Sequence, residues 1–210
     1  MKSPDIIFET LEVGPLSVNC YIIGSRSDNT AAVIDAGGNV KEIVEILKKQ
    51  NLTLKYIINT HAHFDHVGGV SELHALTGAP FLLHQGDVPL LDFLDEQSNY
   101  FGLPPIPKPK VDRYLIDNEE LPLGDEVIRI IHTPGHSPGC VCFLFNNAIF
   151  AGDTLFAGSV GRTDLYGGSH DTLINSVKTR LFTLEDHVLV YPGHGPVTTI
   201  GKEKKHNPYF

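Results

Sequence analysis

Thr60-His61-Ala62-His63-Phe64-Asp65-His66-Val67-Gly68-Gly69 is the stretch from which the rest of the chain can be read. Three imidazoles and one carboxylate occupy the six positions from His61 to His66. The run before it, Leu54-Lys55-Tyr56-Ile57-Ile58, is short, β-branched and apolar, and predicts a buried strand. The run after it carries Val67, Val70, Leu73 and Leu76 at helical spacing and stops at Gly78. The ligand-rich residues therefore fall between a strand's C-terminal end and a helix start, where open α/β sheets place their sites. His61 and His63 are two apart, so an extended loop can point both the same way. Asp65 and His66 come where the chain turns into the helix and can face a second point. One short loop can thus serve two adjacent metals.

Working outward, strands alternate with helices. Ile6 to Val13 and Ser17 to Ile23 read as strands joined at Gly14-Pro15, and Ala31 to Asp35 as a buried strand ending at Gly37-Gly38. Val40 to Gln50 reads as a helix, with Val40, Ile43, Val44, Ile46 and Leu47 on one face. Beyond the central loop, Pro80 to His84 reads as a strand and Asp87 to Glu96 as a helix. Asn99 to Lys110 is too rich in proline for a regular helix or inner strand; it is either a surface excursion or a lid beside the site. In the second half, Glu126 to Ile131, Gly139 to Phe145, Asn147 to Ala151 and His187 to Tyr191 read as strands, and Asp171 to Leu184 as a helix. Two half-chains of strands followed by helices predict a two-sheet core with helices outside. Asp35-Ala36-Gly37 and Gly152-Asp153-Thr154 follow equivalent strands, which points to an internal duplication. No linker divides the halves, so residues 1–210 read as one domain.

Further ligand candidates also follow strands: His136 in His132-Thr133-Pro134-Gly135-His136-Ser137-Pro138-Gly139, Asp153 in Phe150-Ala151-Gly152-Asp153-Thr154, and His194 in Tyr191-Pro192-Gly193-His194-Gly195. With the first loop they give five imidazoles and two carboxylates, enough for two divalent ions and an open position. Asp35, at the end of a buried strand, reads as an acceptor that orients a ligand histidine. His132 reads either as such a supporting residue or as a structural one. His74, His84, His170, His187 and His206 read as surface or local hydrogen-bonding residues, and Lys202 to Lys205 as a solvated terminal helix face.

Composition bounds the function. Hydrophobic residues make up 41% of the 210, which is globular, and no stretch of about 18 apolar residues predicts a membrane span. The start, Met1-Lys2-Ser3-Pro4-Asp5, leads into Ile6-Ile7-Phe8 without an apolar signal region. Cys20, Cys140 and Cys142 are an odd count; Cys140 and Cys142 alternate on an apolar strand and read as core thiols. The expected compartment is the reducing cytoplasm. A net charge of −9 argues against a nucleic-acid partner.

The motifs Thr60–His66, His132–Gly139, Gly152–Phe156, Gly161-Arg162-Thr163-Asp164 and Tyr191–Gly195 together resemble the metallo-β-lactamase superfamily, and most closely its glyoxalase II branch. The resemblance covers essentially the whole chain. It implies an αββα sandwich with a dinuclear site between the sheet edges. It also implies that His61, His63 and His136 hold the first metal, that Asp65, His66 and His194 hold the second, and that Asp153 bridges them. Zinc is the implied metal, with iron or manganese as alternatives. Position 153 is aspartate where many true β-lactamases of the superfamily use cysteine. Arg162 aligns with the basic residue by which family members grip glutathione. The chain departs from full-length glyoxalase II by stopping at Lys202 to Phe210, without the C-terminal helical domain. It also lacks the aromatic after the last ligand histidine, since Gly195-Pro196-Val197 follows His194.

The expected reaction is hydrolysis of a thioester such as S-lactoylglutathione by water activated on two metals, with Asp65 accepting that water's hydrogen bond. No serine nucleophile is needed for this reaction. Three other readings stay open: a persulfide dioxygenase with one iron, another superfamily hydrolase (lactonase or phosphodiesterase), and a non-catalytic metal-binding scaffold.

Overall fold

The computed structural model describes residues 5–210. The first sheet contains β1 (Ile6–Val13), β2 (Val18–Ser25), β3 (Thr30–Ile34), β4 (Thr53–Ile58), β5 (Phe81–His84) and β6 (Arg113–Leu115), in that spatial order. β1, β2 and β3 pair antiparallel; β3, β4, β5 and β6 pair parallel. Between these strands run α1 (Val40–Lys49), α2 (Phe64–Val67), α3 (Val70–Thr77), a 3₁₀ helix over Gln85–Phe93 and α4 (Leu94–Tyr100).

The second sheet contains β7 (Glu120–Leu123), β8 (Glu126–His132), β9 (Val141–Phe145) and β10 (Ala148–Gly152). A small ribbon of β11 (Leu155–Phe156) and β12 (Ser159–Val160) follows. Then come α5 (His170–Ser176), which passes into a π turn over Val177–Leu181, β13 (Leu189–Pro192), β14 (Thr198–Thr199) and α6 (Ile200–His206). The order is β14-β13-β10-β9-β8-β7, with β10 and β13 parallel.

The layers follow from the pleat. Adjacent strand residues point to opposite faces, and here both faces are apolar. Ile57 joins a core under α1 and α3 with Ile43, Leu47 and Leu73, while its neighbour Ile58 joins the core between the sheets with Phe143 and Phe150. Ile130 belongs to that inter-sheet core, and Ile131 to a third core under α5 with Leu173 and Val177. Each fully buried Ile, Leu or Val contributes about 1.5–3 kcal/mol. The result is the expected αββα sandwich. β3, β4 and β5 end on one edge of the first sheet, and β8, β10 and β13 end together on one edge of the second. Those edges carry the candidate ligands described below.

Four boundaries differ from the sequence expectation. The helix after the central motif is two helices, because Gly68-Gly69 interrupts it and the Gly69 N–H turns to Ala36 O at 2.8 Å. The segment expected as a helix over 87–96 is 3₁₀ as far as Phe93, since Pro89 has no N–H to give an α turn. α-Helix then continues to Tyr100, so the Pro-rich loop begins two residues later than expected. The helix expected over 171–184 is α only to Ser176. Strands β6, β7 and β14 had no sequence signal: they are short and partly exposed.

Candidate active site

His61 and His63 follow β4 on extended backbone, and Asp65 and His66 lie on α2. His136 lies in the loop between β8 and β9, Asp153 directly after β10, and His194 after β13. These seven side chains, which the sequence proposes as ligands, meet at one place. Three groups of donor atoms lie within 4.8 Å of one another: His61, His63 and His136; His61, His66 and Asp153; and Asp65, His66 and His194. The central residue is Asp153, whose oxygens stand 3.5 Å from His66 Nε2, 3.7 Å from His136 Nε2 and 3.9 Å from His194 Nε2.

Local hydrogen bonds fix which nitrogen of each ring faces inward. His136 Nδ1–H donates to Arg162 O at 2.7 Å, which leaves a lone pair on Nε2. That Nε2 lies 2.9 Å from His63 Nδ1 and 3.3 Å from His61 Nε2. His66 Nδ1–H donates to Asp35 Oδ2 at 3.0 Å, so its Nε2 lone pair faces Asp153 and Asp65 Oδ2, the latter at 3.8 Å. His66 Nε2 and Asp153 Oδ1 are buried and have no hydrogen-bond partner. Imidazole lone pairs and carboxylates facing each other at these distances repel unless a cation lies among them. Orphaned acceptors in an interior are rare, so the donor set fits divalent metal ions.

The electrostatics agree with this arrangement. Burial and the neighbouring rings push the His61 pKa well down, and burial and His136 push His63 down to about 3. Both shifts favour the neutral ring, the form that binds a metal ion. Burial also opposes charge on His66, but Asp65, Asp153 and Asp35 outweigh it and raise its pKa. Burial likewise opposes charge on Asp153, yet His66 holds its carboxyl far below the ordinary range. Asp65 is lowered too, against burial, by His66 and by His194 Nε2 at 3.3 Å from its Oδ2.

Two buried carboxylates hold the loops. Asp35 has φ 54, a left-handed conformation that aspartate tolerates, and takes Thr60 N and Thr60 Oγ1 at 2.7 Å each besides His66. This is the supporting role expected for it. Asp87 was missed in the sequence. It follows β5, is fully buried, and accepts from Ala62 N at 3.0 Å, Ser137 Oγ at 2.7 Å and Gly139 N at 2.5 Å. It therefore ties the His61–His63 loop to the His136 loop. The signal that could have found it is an aspartate soon after a buried strand, as at Asp35 and Asp153. Glycine is required at two close approaches. A Cβ on Gly193 would sit 2.3 Å from Asp153 Oδ1, and one on Gly161 would sit 1.8 Å from Asp153 O.

His132 stacks on His84 at 4.2 Å and donates from Nε2 to Pro138 O; it joins no donor group and shapes the His136 loop. His74, His84, His170, His187 and His206 also lie outside the donor groups. Cys140 and Cys142 are buried free thiols, raised by burial.

A cavity of about 400 Å³ opens above the donor groups. Phe64, Tyr100, Phe101, Leu16 and Leu165 line it, and Arg162, Glu96 and Gln97 complete its walls. Arg162 donates from Nε and one NH₂ to both oxygens of Asp164, each at 2.7 Å.

The family model for the metallo-beta-lactamase superfamily matches residues 13–194, a span that contains all seven donors. The hydroxyacylglutathione hydrolase GloC of Haemophilus influenzae is 38% identical over 206 residues, covering 96% of this chain and 97% of that protein. Among solved structures, the BLEG-1 B3 metallo-beta-lactamase superposes with a TM-score of 0.89 at 37% identity, covering 97% of this chain and 99% of that one. TTHA1623 in a di-iron-bound form gives 0.86 at 38% identity, covering 96% and 100%. No helix among the described residues is long and apolar enough to cross a membrane. The chain belongs to the metallo-β-lactamase superfamily, as a metal-dependent hydrolase.

Proposed function

We propose that the protein is a dinuclear hydrolase that cleaves a thioester, with glutathione thioesters such as S-lactoylglutathione as its substrate class. The observation that supports this is the pair of donor sets flanking Asp153. His61, His63 and His136 would hold one ion; Asp65, His66 and His194 would hold the other; Asp153 would bridge them. Bound there, two divalent ions, zinc on this reading with iron or manganese as alternatives, supply a nucleophile from water at neutral pH and Lewis acidity for a carbonyl oxygen.

The chain's own residues do the rest. Arg162 O and Asp35 keep the His136 and His66 lone pairs turned inward, so no tautomer change is needed. Asp65 Oδ2 faces the base of the cavity and accepts the hydrogen bond of the attacking water. The stacked Phe64 and Phe101 rings exclude bulk water from that base. Arg162 at the exposed mouth attracts the carboxylate of a peptide thiol. A thiolate departs without a proton, whereas the amine leaving from a β-lactam needs one, so a thioester asks less of this site. On the same reading residues 1–210 form one domain, supported by an inter-sheet core drawn from both halves. The protein works in the reducing cytoplasm, supported by its three free buried thiols.

The test couples elemental analysis of protein purified without added metal to turnover of S-lactoylglutathione, with a chromogenic β-lactam as control. Two ions per chain and thioester cleavage, both reduced in His194→Ala, are expected. One ion in fully loaded protein removes the dinuclear centre. A relative solved with two irons makes iron a real competitor for these donors. Iron-dependent oxygen uptake with glutathione persulfide that survives His194→Ala, without thioester cleavage, would replace this reading with a dioxygenase.

A further inference from the structure

The cavity above the donor groups presents carbon to whatever fills it. Phe64 and Phe101 stack with centroids 5.1 Å apart, and Tyr100 packs edge-on against Phe101 at 5.2 Å. Leu16 and Leu165 add aliphatic surface. Two of the wall's polar side chains are already engaged. The Gln97 amide accepts from Phe64 N and donates to Leu90 O, so both its ends serve the backbone. Arg162 is the wall's only guanidinium or ammonium group, and Asp164 already holds two of its donors. The other charged wall residue outside the donor groups is Glu96, an acid. Away from the donor groups, a carboxylate drawn deep into this space would lose water and meet only acidic Glu96 and an Arg162 already held by Asp164, which is costly. The apolar surface continues outward: Tyr100 is 84% exposed, Phe101 46% and Leu165 40%. Contiguous exposed carbon of this kind marks a binding surface.

We infer that the cavity takes a bulky apolar acyl group, a medium-length alkyl or an aryl-alkyl chain, laid against Phe64, Tyr100, Phe101, Leu16 and Leu165. The charged peptide part of the thiol stays outside, beside exposed Arg162. A small hydroxylated acyl group such as lactoyl leaves most of this surface unfilled. The inference rests on the thioester reading for the reaction, but binding of the chain can be measured without any reaction.

Two series on the metal-loaded protein test it. S-methylglutathione and S-hexylglutathione are thioethers and cannot be hydrolysed, so calorimetry reads binding alone. A fully buried methylene strengthens binding roughly fourfold. Because the wall is partly open, five added methylenes are expected to tighten Kd at least tenfold. In the second series, kcat/KM is compared for S-lactoyl-, S-hexanoyl- and S-phenylacetylglutathione, and the two apolar substrates should exceed lactoyl. Phe101→Ala and Tyr100→Ala, at largely exposed positions and checked for folding by circular dichroism, should lower the hexanoyl-to-lactoyl ratio. Equal Kd values for methyl and hexyl, or a ratio untouched by both variants, overturn the inference. If the hexyl preference appears but no thioester is cleaved, the apolar site stands and the thioester reaction falls. If lactoyl is cleaved fastest and the thioethers bind alike, the reaction stands and the apolar site falls. Neither binding nor cleavage removes both.

Discussion

Asp87→Asn separates a carboxylate that holds the site together from one that merely fills space. Oδ2 of Asp87 accepts from Ala62 N and Ser137 Oγ, and Oδ1 accepts from Gly139 N. An asparagine has one oxygen. If its NH₂ replaces Oδ1, it faces the Gly139 N–H; if it replaces Oδ2, it faces the Ala62 N–H. Either way one buried N–H loses its acceptor, which costs about 1–3 kcal/mol. The remaining bonds lose charge assistance, roughly another 1 kcal/mol. Against this, burial raises the Asp87 pKa despite the three donors. A carboxyl raised in the folded state costs stability above its unfolded pKa, and the neutral amide recovers that part. The net loss should be about 2 kcal/mol. The orphaned group is next to His61 and His63, or three residues from His136, so the three-histidine group shifts as well. Supporting partners of metal ligands are worth about 10–100-fold in affinity, and a loss in that range is expected. Urea unfolding of metal-free protein measures the first number, and chelator competition on loaded protein the second. Wild-type metal affinity in Asp87→Asn would refute the role, and unchanged stability would refute the hydrogen-bond accounting.

Asp153→Ala should release at least one ion per chain by elemental analysis, because its carboxylate is the group shared between the donor sets. Arg162→Ala should raise KM for a glutathione thioester roughly tenfold with less change in kcat, since a charge-assisted hydrogen bond is worth about 1.5–3 kcal/mol. Asp164→Asn, which frees that guanidinium, should lower the same KM; an unchanged KM in both variants would leave Arg162 structural. Asp117 has a lowered pKa: burial opposes this, but Arg180 and the His132 N–H outweigh it. A carboxyl lowered in the folded state gives stability that is present above its unfolded pKa and lost as pH falls through the folded one. The wild type should therefore lose more stability than Asp117→Asn as pH drops below about 4, read as Tm against pH.

The seven donors were legible because their chemistry is rare and local. His61 to His66 put four of them in one loop, and His136, Asp153 and His194 each follow an apolar strand. Strands β3, β9 and β10 were legible because they are buried on both faces and almost wholly apolar, and the ends of β4 and β8, Tyr56-Ile57-Ile58 and Ile130-Ile131, share that character. What the sequence concealed depends on neighbours distant along the chain. Asp87 looks like a helix-starting residue until β5 brings it against Gly139, 52 positions later. Strand β6, Arg113-Tyr114-Leu115, has two exposed residues of three and exists because β5 offers it an edge. Tyr100 looked like loop because prolines follow it, yet α4 carries it to the cavity wall.

The same geometry says what a bound metal would do for this fold. His61, His63 and His136 crowd three inward nitrogens, while His66 Nε2 and Asp153 Oδ1 are buried without partners. Inward nitrogens crowded together without a donor are destabilising, and the rigid layers beneath hold them in place. Asp35 braces the His66 side from the first sheet, and Asp87 ties both histidine loops across the sheet edges. A cation that binds this arrangement and not the unfolded chain removes the repulsion and adds its binding free energy to folding. The strain is concentrated where the ends of β4, β8, β10 and β13 converge, so the metal-free protein should loosen there first while the three apolar cores stay packed. On this reasoning the site is the part of the bare fold expected to open first, and a bound metal would link the two sheets there.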